Sequence, residues 1–207
     1  MVVVVPGSYP PPATFGGGSF ADFLDLRTAV VEHVRNPGIT DVFPRLVSLA
    51  ESRLNRTLRM RDQITSGTIT IASNRGALPA NFAEMIGLYD GNGCEYVQQS
   101  PQHKIGYYYS IQGSEIVTSC ITGDLTLDFY ALIPPLGDSM TTSNWLLARY
   151  PDVYLYAVSF EAAKHTHDAE LAMATKGLMD DAIAQAKADD ETARYSRARV
   201  RVAGVCP

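Results

Sequence analysis

Apolar residues recur at helical spacing through the first quarter of the chain. Phe23, Leu26, Val30 and Val34 stand three or four residues apart, the period of one buried helix face. Ser19-x-x-Asp22 ahead of them has the form of a capping box with Asp in the Glu place. The spacing predicts a helix from Ser19 that Pro37-Gly38 ends. A second helix follows, with Asp41 as N-cap, Pro44 in the first turn where its missing N–H costs little, and a stripe of Phe43, Leu46, Val47, Ala50, Leu54 and Leu58. Its other face carries Arg45, Glu51, Arg53, Arg56, Arg59 and Arg61, either as a solvated surface or as a partner-binding one.

From about residue 66 the pattern alternates with a period of two. Thr68-Ile69-Thr70-Ile71 and Met85 to Tyr89 read as strands, and Asp90-Gly91-Asn92-Gly93 as a turn answered by Cys94 to Gln98. Tyr107 to Gln112 and Glu115 to Ser119 flank Gly113-Ser114, a pair suited to a two-residue II′ hairpin. Leu125 to Tyr130 supplies another strand and Pro134-Pro135 closes the region. Together these predict one small antiparallel sheet.

Helical spacing returns at Trp145-Leu146-Leu147, capped by Ser143 or Asn144, and restarts at Tyr150-Pro151-Asp152. Val153, Tyr156, Ala157, Phe160 and Ala163 form its apolar face. Asp168 opens a last long helix with Leu171, Leu178, Ala182 and Ala186. The expected fold class is α+β: a mainly helical bundle (19–62 and 143–196) bearing a small antiparallel β insertion (63–137), with extended arms at 1–18 and 197–207. The first arm is rich in Pro and Gly. The second alternates as Arg197, Arg199, Val200, Arg201 and Val202 without a neighbouring hairpin partner, so it is suited to pairing with another chain.

Composition narrows the function. With 17 Lys plus Arg against 22 Asp plus Glu among 207 residues, the net charge is −5, which argues against a protein built to neutralise nucleic-acid phosphates. Contact with DNA should be passive. Three cysteines, Cys94, Cys120 and Cys206, read as reduced thiols of a protein folded in the cytosol. The Met-Val-Val-Val-Val-Pro start lacks the basic leader of a signal peptide. No run approaches the roughly 18 apolar residues of a membrane span.

Catalytic and cofactor signatures are missing from the sequence. It contains no phosphate loop, no Gly-x-Ser-x-Gly elbow and no His-Glu-x-x-His pair. His165-Thr166-His167-Asp168 is the nearest approach to a metal cluster, but residues two apart on a helix do not converge, so a polar helix junction capped by Asp168 is the expectation. Paired carboxylates for glycoside hydrolysis would have to come from Glu161, or from Glu84 and Asp90. Glu161, on an apolar face, is instead expected to bond an arginine of the second helix. The acidic run Asp180-Asp181 and Asp189-Asp190-Glu191 reads as the solvated face of the last helix, or as a surface that lets DNA slide. No catalytic residue, metal ligand or cofactor is assigned.

Several blocks resemble the head-to-tail adaptor family of tailed bacteriophages. They are Phe43-Pro44-Arg45-Leu46-Val47 continuing to Arg56, Leu58 to Arg61, Leu78-Pro79-Ala80-Asn81-Phe82, Tyr109 to Gly113, Leu127 to Pro134, and Asn144-Trp145-Leu146-Leu147 continuing through Arg149-Tyr150-Pro151-Asp152 to Tyr156. The likeness runs in order over about residues 20 to 200, and the last block is the most specific. It implies a structural virion protein and not an enzyme: a ring, commonly of twelve copies, beneath the portal at the head-tail junction. Such a ring extends the DNA channel and docks the tail or nozzle. It would be made in the cytoplasm of the bacterial host. The resemblance places the portal contact at Arg194, Tyr195, Arg197, Arg199, Val200, Arg201 and Val202. Arg53, Arg56, Arg59 and Arg61 are candidates for contacts between subunits. The arm 1–18 has no counterpart in the family pattern. Two competing functions are a tail-borne peptidoglycan hydrolase and a tail-completion ring without portal contact.

Overall fold

The computed structural model describes residues 20–100, 106–119, 123–137 and 142–195. The expected arms and the Ser19 cap lie outside these residues. The fold class is α+β, as expected, with five α-helices and seven strands among the described residues. The chain divides into two compact units. One holds the described residues of 1–56 and 134–186, the other those of 57–133 and 187–207.

The first unit is helical. Helix α1 (Phe23–Val34) is capped by Asp22, whose carboxylate accepts from Leu24 N and Asp25 N. Asp25 accepts from Ala21 N at 3.1 Å, and the helix N-cap is Asp22, the last residue of the expected Ser19-x-x-Asp22 box. The chain leaves α1 through Arg35 at φ 54° and makes a 3-10 turn at Pro37–Ile39 that the Asn36 side chain caps. Helix α2 (Phe43–Thr57) then starts from backbone bonds, with Phe43 N donating to Thr40 O and Leu46 N to Val42 O. These consecutive turns satisfy its first N–H groups without the Asp41 cap the sequence suggested.

Three further helices complete the α structure. The short α3 (Trp145–Arg149) is capped by Asn144, which accepts from Leu147 N at 2.9 Å. Pro151 occupies the first turn of α4 (Pro151–His165), where its absent N–H is no loss. That helix buries Val153, Tyr154, Ala157, Val158, Ala162 and Ala163, more than one stripe, because α1 and α3 both pack against it. Asp168 accepts from Leu171 N at 3.0 Å and so opens α5 (Ala169–Tyr195) as expected. The buried face of α5 is Thr175, Met179, Ala182, Ile183 and Ala186, whereas Leu178, assigned to it from sequence, is exposed.

The second unit contains two sheets where the sequence suggested one. Strands β1 (Ile64–Ile71), β3 (Phe82–Tyr89) and β7 (Gly123–Ala131) form an antiparallel sheet in the order β1-β7-β3. Strands β2 (Arg75–Ala77), β4 (Val97–Gln98), β5 (Tyr108–Gln112) and β6 (Glu115–Thr118) form the other, in the order β2-β6-β5-β4. They share one core of Ile69, Ile71, Leu88, Leu127 and Phe129 with Tyr109 and Ile116, a face-to-face arrangement that lets each sheet bury its apolar side.

Two local features explain the split. Ser73 and Asn74 both take positive φ, 51° and 65°, in a tight turn that pairs Ala72 with Arg75 and carries the chain from β1 to the edge of the second sheet. After the Asp90 turn the expected return strand pairs only briefly, with Tyr96 N donating to Leu88 O. Val97 and Gln98 then leave to pair in parallel with Tyr108 and Tyr109, so the second sheet is mixed. The β5–β6 hairpin does turn at Gly113-Ser114, with Gly113 at φ 65° and Gln112 opposite Glu115, as expected.

Candidate functional site

Three polar clusters organise the described surface and interior, and each begins from a carboxylate that its helix buries. On α2, Glu51 lies one turn from Val47 and Leu54, at the border of the apolar stripe, and is nearly as buried as they are. Its Oε1 accepts from Leu136 N at 2.7 Å and from the Tyr154 hydroxyl at 3.0 Å. Asn144 donates to the same Tyr154 oxygen at 2.8 Å and to Pro134 O at 2.7 Å. Burial pushes the Glu51 carboxyl above the ordinary carboxylate range, against the lowering by Leu136 and Tyr154. Burial likewise drives the Tyr154 hydroxyl far up. Both groups are therefore held neutral more readily than in water, and the cluster joins the 134–137 segment to α2 and α4.

The second cluster contains the residue with the best claim to acid chemistry. Glu161 is 5% exposed and receives Arg53 Nε and Nη2 on Oε1, at 2.9 and 2.8 Å, and Lys164 Nζ on Oε2 at 2.9 Å. Burial acts to raise its carboxyl, but the hydrogen bonds from Lys164 and Arg53 outweigh it and leave the group below the usual range. The Arg53 guanidinium also stacks 4.8 Å from the Phe160 ring centre. A general acid needs a raised pKa, so this environment suits an ion pair. Arginine of the second helix is the partner that the sequence pointed to.

The third cluster lies at the end of α5. Asp190 is not on a solvated face, as the acidic run suggested, but is 3% exposed. Its two oxygens accept the Arg61 N–H at 3.1 and 3.2 Å, and Oδ2 accepts Arg194 Nη2 at 2.8 Å. Arg194 in turn donates from Nη1 to the Tyr130 hydroxyl at 3.1 Å. Asp190 follows Ile183 and Ala186 at helical spacing, a signal that the acidic neighbours Asp189 and Glu191 hid.

The candidate interface residues divide accordingly. Arg53 and Arg61 bind Glu161 and Asp190, and Arg59 donates to Glu84 and to Leu58 O. Arg56 is exposed, with Nε on Ser52 O of its own helix. Arg194 belongs to the Asp190 cluster, whereas Tyr195 is 62% exposed. Arg197, Arg199, Val200, Arg201 and Val202 lie outside the described residues. Of the other carboxylates considered, Glu84 pairs with Arg59 and Asp90 accepts from Asn92 N and Cys94 N within its turn. Among the described residues no His, Cys, Asp and Glu side chains are grouped to hold a metal ion, and no helix is long and apolar enough to cross a membrane.

The profile of the SU10 adaptor protein family matches residues 21–203, which include both units and all three clusters. The chain belongs to the SU10 adaptor protein family. It is therefore a phage structural adaptor protein, a component of the virion whose work is contact with other virion proteins. No curated protein matches the chain significantly. In an SU10 adaptor the three buried carboxylates are best understood as the struts of a scaffold, each satisfied by cations or by N–H and O–H donors. Arg45 and Arg56 on α2 are exposed, as is Tyr195 at the end of α5.

Proposed function

We propose that this adaptor assembles as a ring of twelve copies beneath the portal, extends the DNA channel passively, and offers the docking surface for the tail or nozzle. The observation that carries this reading is the family match across residues 21–203. The chain's charge of −5 fits a channel wall that does not bind DNA phosphates. Portal docking falls to the basic, β-prone segment beyond Tyr195, with Arg197, Arg199 and Arg201 supplying charge and Val200 and Val202 the strand propensity. Arg194 serves as its anchor, since Asp190 and Tyr130 already hold it. Repetition around the ring multiplies a weak contact by each copy.

The test is deletion of residues 197–207, with binding to the same phage's portal ring measured by titration. The truncated protein should keep its helical signal and melting temperature and lose portal attachment. Unchanged affinity would refute tail docking. Rings that form with tail proteins but never with portal would make the protein a tail-completion component.

A further inference from the structure

The exposed side of α2 and the exposed side of α5 match in charge and spacing. On α2, Arg45, Leu49, Ser52 and Arg56 recur at four, three and four residues, and all are exposed, Leu49 by 48%. That stripe carries two cations around one apolar side chain. On α5, Glu170, Met173, Gly177, Asp181 and Ala184 recur at three or four residues, all exposed, Met173 by 73%. That stripe carries two anions around small or flexible side chains. Asp180 nearby is neutralised by Lys176 at 2.9 Å, but among the described residues neither Glu170 nor Asp181 is in an ion pair, and neither is Arg45. In both helices the charges are eleven residues apart, about 16 Å at the helical rise.

Gly177 adds a separate observation. It sits inside a 27-residue helix, where glycine is the least favourable residue short of proline. Nothing in the chain requires it, because a Cβ there would meet no atom within 4 Å and its φ is not positive. A helix gives up a side chain at such a place when another backbone or side chain approaches closely. Leu49 stands four residues from Arg45, as Gly177 stands four from Asp181. An antiparallel docking would put Leu49 over Gly177, Arg45 beside Asp181 and Arg56 beside Glu170 in one register.

We infer that the α2 stripe of one copy binds the α5 stripe of the next copy. This inference rests on the ring reading above and specifies its lateral contact. Because the two stripes differ, the contact is heterologous, the kind that closes into a ring when the rotation allows. Leu49 and Met173 supply the apolar centre and the four charges the rim that sets register and partner.

The experiment uses full-length chains weighed by native mass measurement, alone and on the same phage's portal ring. R45E/R56E and E170R/D181R should each retain the wild-type helical signal and lose assembly by about a hundredfold in concentration, since like charges then face each other. An equimolar mixture of the two should recover assembly, because every contact in an alternating ring pairs opposite charges again. Gly177→Leu should block assembly, while Gly177→Ala should raise the melting temperature of the unassembled chain. If wild type assembles and the reversals assemble equally well, or the mixture fails to recover, this interface is wrong and the ring stands. If wild type gathers neither alone nor on portal, the ring reading fails and the interface with it.

Discussion

Arg53 reaches from α2 to α4 and places two of its N–H groups on a single oxygen, Oε1 of Glu161, at 2.9 and 2.8 Å. Lys164 takes the other oxygen, so each half of the carboxylate has its own cation. Removing the acid's charge leaves Arg53 over Phe160 without its anion. Glu161→Gln should therefore destabilise the protein by about 1–3 kcal/mol, read as a shift in urea midpoint. A double-mutant cycle with Arg53→Met should return a coupling above about 0.5 kcal/mol. Neither wild type nor variant should clear a peptidoglycan suspension; clearance that Glu161→Gln abolishes would restore the hydrolase reading.

The two buried carboxylates of the helical unit give opposite pH slopes. Glu161 has a depressed folded pKa, so its stabilisation is present above the unfolded value near 4.5 and disappears as pH falls through the lower folded value. Glu51 has a raised folded pKa, so its favourable contribution is complete below 4.5 and is lost as pH rises through the folded value. Urea titrations from pH 3 to 8 should show Glu51→Gln flattening the fall in stability above pH 4.5, and Glu161→Gln flattening the loss below it.

Asp190 is the single carboxylate on which Arg61 N–H and Arg194 converge. Asp190→Ala should cost about 1–3 kcal/mol, because the half-buried Arg194 guanidinium and the Arg61 backbone donor lose a shared acceptor together. Amide exchange is the sharper measurement. Protection should fall in the last turns of α5 and at Arg61, while α1 and α4 keep theirs.

Asn144 combines a helix cap with two donated bonds, to the buried Tyr154 hydroxyl and to Pro134 O. Asn144→Ala should lower stability by about 2 kcal/mol, and Asn144→Asp by a similar amount because it cannot donate to Tyr154. Thermal melts of both variants check this; an unchanged Asn144→Asp would mean that the amide donation contributes nothing.

Much of this architecture was legible where one period or one chemical rule governed a segment. The stripe of α2, the Asp168 cap, the Pro151 start and the Gly113-Ser114 turn are all local, and Glu161 declared its need for an arginine by standing among apolar neighbours. The rest required information from elsewhere in the chain. Glu51 and Asp190 were grouped with charged neighbours because a residue at the border of a stripe is buried or not according to what packs on it. Ser73-Asn74 lacks the glycine that usually announces a tight turn, so β2 went unseen. The parallel β4–β5 pair joins segments whose alternation says nothing of direction. For the interfaces, side-chain type marked the basic stretch of α2, but only the geometry separates arginines spent inside the chain, such as Arg53 and Arg61, from those that face outward.

The register of β1 on β7 governs the order in which the β unit can be made. Ile71 pairs with Gly123 and Ile64 with Tyr130, more than fifty residues apart in the chain, whereas β5 meets β6 across two residues. Closing so long a loop is entropically slow and the hairpin is quick. As the chain leaves the ribosome, β1 and β3 emerge as two halves of a sheet without its middle strand. Both wait for β7 to insert between them. A chain that stalls before Gly123 thus exposes two unpaired strand edges at once, which makes translation through this stretch the step at which the nascent protein is most open to sticking to its own kind.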